Sequence, residues 1–163
     1  MSSNPYAPPK AVVADIPPPL ERSPPLWNPK AAFFWSWVFT PAFGAFLHMY
    51  NWEELGEPKK AAAAKIWGMV IVSILAVVAL LANFIPTLNV VTTPVGIVLL
   101  FSWYSSSARE QVRYVKQRFG DEYPRRGWGR PLFMAVLALL GYAVIVGTIT
   151  VLLGSAGVGI AGN

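Results

Sequence analysis

The sequence predicts an all-α integral membrane protein with three transmembrane helices and an additional aromatic, membrane-embedded segment near the N-terminus. Three observations carry this. Charged residues make up 13% of a chain whose hydrophobic fraction is 55%, against about 25% charge in soluble domains. The missing charge is localised: residues 66–104 and 132–163 contain no Asp, Glu, Lys or Arg. Two such stretches are too long to bury in a soluble core of 163 residues and suit a bilayer instead.

Residues 1–29 read as a flexible tail. Nine of the fifteen prolines lie there. Proline donates no backbone hydrogen bond and disfavours helix in the residue before it. The tail should have polyproline II character and serve as a tether, or as a docking peptide for a cytoplasmic partner.

Residues 31–51 form an aromatic run flanked by Trp27 and Trp52. Counted as one piece, it is long enough to span a bilayer. Thr40-Pro41, however, has the form of a helix start, an N-cap followed by a first-turn proline. A split there leaves two short helices, which favours a re-entrant or interfacial helical hairpin over a fourth span. A hairpin would also keep all thirteen basic residues on one side. Gly56 and Pro58 then mark a turn, and the run KKAAAAK leads as a strong helix former into the next span.

The clearest span is residues 66–85, twenty residues or roughly 30 Å of helix. Residues 87–93 are polar and uncharged and read as a short loop, with Thr92-Thr93-Pro94 as the next helix start. The second span, 88–104, must then borrow part of that loop to reach across. Residues 105–131 read as a basic cytoplasmic helix and loop. Ala108, Val112, Val115 and Phe119 follow one face, and Arg109, Arg113 and Lys116 another. Gly120 suits a C-cap. The last span is 132–154, followed by a flexible tail at 155–163. The whole membrane domain covers 30–154.

Sidedness follows from the charges. The segment 105–131 holds Arg109, Arg113, Lys116, Arg118, Arg125, Arg126 and Arg130 against Glu110, Asp121 and Glu122. Short basic loops remain cytoplasmic. That segment is therefore inside and the C-terminus outside, and a hairpin places the N-terminus inside. Trp52, Trp67, Trp103 and Trp128 all fall at the same predicted boundary, as interfacial tryptophans do.

Nothing in the sequence assembles catalysis, so no enzyme, cofactor or metal is expected. Cysteine is absent and histidine occurs once, which excludes thiolate chemistry and histidine clusters. The spans hold no ionisable group, which argues against ion-coupled transport. His48 reads as an interfacial residue beside Tyr50 and Trp52. No aromatic stacking platform accompanies the positive charge, so nucleic acid is not an expected partner. Membrane lipids are: Arg109, Arg113, Lys116, Arg125 and Arg126 are candidate contacts to anionic lipid. Trp35, Trp37, Phe43, Phe46, His48, Ala143 and Gly147 are candidate contacts to a membrane or toxin protein partner. The small pair Ala143 and Gly147 also allows a homo-oligomer.

The stretch NPKAAFFWSWVFTPAFGAFLHMYNWEELG, residues 28–56, resembles the opening segment of small bacterial multi-pass inner-membrane proteins of unknown function. The overall plan is similar to that of membrane immunity proteins that guard producers against pore-forming toxins. These resemblances imply a bacterial inner-membrane protein that acts by helix–helix binding within the bilayer, immunity-like or accessory to a membrane complex. The alternatives are an oligomeric channel or small-solute pore, and an assembly factor that recruits a cytoplasmic partner through its Pro-rich tail.

Overall fold

The computed structural model describes residues 23–85 and 87–157. The predicted tail lies outside this range up to residue 22, as do the last six residues. The described chain is helical, with no strand beyond one isolated bridge between Leu26 and Arg125.

Three consecutive helices open on a proline in the first turn, where its missing N–H has no intrahelical partner to lose. Helix α1, Pro29–Val38, is capped by Asn28, whose Oδ1 accepts from the backbone N–H of Lys30 and Ala31. Helix α2, Pro41–Glu54, starts where expected: Thr40 is extended and its Oγ1 accepts from the Phe43 N–H. Gly56 turns the chain at φ +71°, a left-handed conformation that favours glycine. Helix α3, Pro58–Leu81, then runs without a break through the alanines into the apolar stretch.

Helices α1 and α2 fold back on each other as a hairpin. Trp27 meets Asn51, Pro29 meets His48, and Ser36 lies against Gly44. Both ends of the hairpin are therefore close together, and its tip is at 39–40. Helix α2 packs along α3 through Ala42, Ala45, Met49 and Trp52, facing Ala61, Ala64, Gly68 and Ile71. The α3 positions step by three and four residues and so share one face. Their small side chains allow close approach. A Cβ at Gly68 would come within 2.9 Å of the Phe46 ring, and one at Gly44 would collide with Ser36 Oγ and the Trp103 indole.

Helix α4 is Leu88–Trp103. It begins six residues earlier than the Thr-Thr-Pro signal suggests, and Pro94 lies inside it. The interior proline forfeits one backbone hydrogen bond. Starting the helix at Pro94 would leave about six residues of backbone without helical partners, the larger loss.

A π-helical turn at Tyr104–Ala108 joins α4 to α5, Arg109–Phe119, which ends at Gly120 with φ +67°. Buried positions along this helix are Leu100, Trp103, Ala108, Gln111 and Val115. The step of five from Trp103 to Ala108 is the π-turn. It absorbs one extra residue, so the buried stripe stays on one side. Ser105 and Ser106 both donate to the Ser102 carbonyl at this turn.

Helix α6, Gly129–Ser155, stands nearly alone. Only Pro131 and Ala135 of it are buried. Thr150 Oγ1 donates to Asn83 Oδ1 at 2.7 Å, and near its start Trp128 stacks against Trp35 at 6.3 Å. Among the described residues three helices are long and apolar enough to cross a membrane: Pro58–Leu81, Leu88–Phe119 and Gly129–Ser155.

Deleting Ser106 converts the π-turn to ordinary α-helix and leaves Ala108, Gln111 and Val115 on their present face. The deletion should keep the thermal midpoint of the purified chain. One alanine inserted after Ser106 rotates α5 by about 100° and should lower it clearly.

Candidate functional site

The most built part of the molecule is a buried polar seam where the hairpin meets α5. Asn51, His48 and Gln111 are at most 1% exposed. Asn51 faces Trp27 as a strand would: its Oδ1 accepts from the Trp27 N–H at 3.0 Å, and its Nδ2 donates to the Trp27 carbonyl at 2.8 Å. Nδ2 also donates to Gln111 Oε1 at 3.2 Å, and Gln111 Nε2 donates to the His48 carbonyl at 2.8 Å. His48 and Asn51 are three residues apart on α2 and so share a face. The π-turn brings Gln111 opposite them.

His48 Nε2 is 3.2 Å from the Pro29 carbonyl. A carbonyl only accepts, so Nε2 carries the proton and Nδ1 is bare. Nδ1 and the neighbouring Trp103 Nε1–H have no hydrogen-bond partner among the described residues, although the two rings meet edge-on at 5.2 Å. His48 lies in α2, outside the three candidate spans. Burial pushes its imidazole down to about 4, and the bond to Pro29 offsets only part of this. The ring is therefore neutral at pH 7.

Around the seam, charges are spent on one another. Arg126 pairs with Glu54 at 2.8 Å and lies 4.8 Å over the Trp27 ring. Lys60 sits between the Trp52 and Tyr114 rings, 4.7 and 4.9 Å from their centroids, and contacts Glu110 and Glu57 at 3.3 and 3.7 Å. The segment ahead of α1 is pinned to the α5–α6 loop. Leu26 N–H donates to the Pro124 carbonyl, Arg126 N–H donates to the Leu26 carbonyl, and Trp27 Nε1 donates to the Gly127 carbonyl.

The candidate partner contacts are not brought together. Phe46 lies over Gly68, and His48 is sealed in the seam. Trp35 and Phe43 each pack against Phe39, and Trp35 also meets Trp128. Trp37 is half exposed beside Phe101, while Ala143 and Gly147 lie open on α6, in a shallow apolar groove with Val144 and Val151. The candidate lipid contacts divide likewise. Arg109, Arg113 and Lys116 are exposed without an ion partner among the described residues, whereas Arg126 is held by Glu54 and Arg125 donates to the Asp121 carbonyl.

Asn51 and Gln111 were not legible as site residues. The available signal was the spacing of Gln111, three residues after Ala108 and four before Val115, which puts it on their face of the helix. Its burial depends on the π-turn, which shifts the register by one. Comparison with protein-family models, with curated proteins and with solved structures finds no match to this chain.

Asn51→Leu keeps the volume but strands the Trp27 backbone groups and the Gln111 amide. It should cost about 3 kcal/mol, read as a lowered unfolding midpoint with early proteolysis near residue 26. His48 binds a proton more readily when unfolded than in the seam. Stability should therefore be full above about pH 6.5 and fall as the pH drops towards 4, by roughly 3 kcal/mol in all. The difference between the native chain and His48→Gln over that window isolates this contribution; parallel pH curves would rule it out.

Proposed function

We propose that the chain is a multi-pass protein of a bacterial inner membrane that acts without catalysis, by binding a membrane partner through its spanning helices. It is an accessory or immunity-like subunit in this reading. The observation that carries the proposal is the contrast between the two ends of the molecule. The seam end is tied by side-chain hydrogen bonds and ion pairs. The apolar windows of the three long helices, by contrast, are only 17%, 11% and 0% buried within the chain. Helices in a bilayer associate by close packing at small residues, and α6 offers Ala143 and Gly147 with none of the described helices over them.

The orientation supported by the charges is a cytoplasmic seam end. The bonds from Leu26 and Trp27 to the basic loop favour the same side for the N-terminal tail. With both hairpin ends at the seam, its tip would enter the interface from the cytoplasmic side, with Phe34, Trp37 and Val38 exposed to lipid as interfacial aromatic and apolar groups.

A photo-crosslinking residue at Val144 in α6 should give one discrete adduct with a different membrane protein in cells, and Gly147→Phe should abolish it. An adduct of twice the chain's own 17.8 kDa would favour a homo-oligomer, and lipid adducts alone would defeat the proposal. The chain has no cysteine, so Ser3→Cys reports the tail without background. A membrane-impermeant maleimide should label it only after permeabilisation.

A further inference from the structure

We propose that the exposed face of α5 formed by Arg109, Arg113 and Lys116 is a docking surface for an acidic segment of a cytoplasmic protein. The inference rests on the membrane orientation given above and adds a second, soluble-side partner to it.

The three residues are spaced i, i+4 and i+7 and so form one stripe. They are turned away from Ala108, Gln111 and Val115, which pack into the molecule. All three are exposed and have no ion partner among the described residues. The fold does not use their charge. The acidic groups it does use are committed elsewhere, Glu54 to Arg126 and both Glu57 and Glu110 to Lys60. Beside the stripe is an open hollow of about 240 Å³ lined by Glu110, Arg113, Tyr114 and Gln117, which gives the face relief as well as charge.

Helix length decides between an acidic protein and an anionic membrane surface. Leu88–Phe119 is one helix of 32 residues, about 48 Å long against a hydrocarbon core of about 30 Å. Counted from Leu88, the core is used up after about twenty residues, near Ser107. The headgroup layer adds only about 5–7 Å. Arg113 then lies about 9 Å beyond the core and Lys116 about 13 Å beyond. A flat lipid surface meets the stripe edge-on at its foot, Arg109, and its attraction weakens along the helix towards Lys116 over about a Debye length. A partner helix with carboxylates at matching intervals reaches all of it.

The test uses the full chain in phosphatidylcholine nanodiscs. Its probe is a fluorescent helical peptide with glutamate at every fourth position, and a glutamine version serves as the blank. The glutamate peptide should bind and the blank should not, with affinity falling as salt rises. The double variant Arg113→Glu, Lys116→Glu should weaken binding by roughly tenfold or more and should instead bind a lysine version of the peptide. That gain also shows that the variant is folded. Lys59→Glu with Lys65→Glu, an equal charge change on α3, should leave binding unchanged. Equal weakening by both double variants would reduce the effect to net charge and overturn the proposal, as would no weakening by the first. Phosphatidylglycerol is then added to the discs; if it displaces the peptide, and its own enrichment around the chain is lost in the Arg113, Lys116 variant, the occupant is the membrane and the proposal falls. A chain that fails to enter nanodiscs counts against membrane residence itself, which the other outcomes leave standing.

Discussion

The fold depends on one side-chain amide. Asn51 satisfies both backbone groups of Trp27 and the Gln111 carbonyl oxygen from a position that is 1% exposed. No water reaches it freely to replace a lost partner, so each of these bonds is held by the cost of leaving a buried group unpaired rather than by its own modest net worth. Three segments distant in sequence meet there: the entry to α1, the end of α2 and the start of α5. The Gln111 bond to the His48 carbonyl extends the same network by one step. An apolar residue of the same size at position 51 would fill the space but could not specify which backbone lies beside it.

The seam requires that the helices approach closely, and small residues provide this. Gly44 admits the edge of Trp103 and the Ser36 hydroxyl, and Gly68 admits Phe46. Ala61 and Ala64 allow Met49 and Trp52 to lie along α3. Large rings and small side chains alternate across the interface, which is how a helical core reaches high density. The aromatic chain Trp128, Trp35, Phe39 and Phe43 continues this packing along one side of the hairpin and provides α6 with its contact near the seam.

The molecule is thus stiff at one end and open at the other. At the seam, ions are paired across elements, with Arg126 reaching from the α5–α6 loop to α2 and Lys60 bridging α3 to α5. Exposed ion pairs contribute little singly. Here two cations also lie over aromatic rings, and the pairing removes acidic groups from the surface. Part of the excess positive charge that remains lies on the outward face of α5, at Arg109, Arg113 and Lys116. Along the spans, by contrast, the chain leaves its apolar surface to whatever surrounds it, and the Thr150–Asn83 bond ties α6 to the turn after α3 far from the seam.

Composition and the two uncharged stretches were enough to read three helices of spanning length, because the absence of charge over twenty residues has few other physical meanings. The start of α2 was legible at Thr40-Pro41, and the end of α5 at Gly120, since caps and positive φ act locally. The start of α4 carries two signals: the length a span needs reaches back to residue 88, where the helix begins, while the local signal points to Pro94. Thr92-Thr93-Pro94 has the local form of a helix start, but tertiary context kept the proline inside a longer helix. The seam was not legible at all. In the sequence His48 stands without its neighbours, and nothing marks Asn51 or Gln111 as seam residues, because partners 24 to 63 residues apart leave no periodic trace. The helices and their apolar character were set by the sequence through local chemistry. Which polar groups meet was decided only by tertiary structure, through a one-residue π-turn and two glycines that let the backbones come close enough to pair.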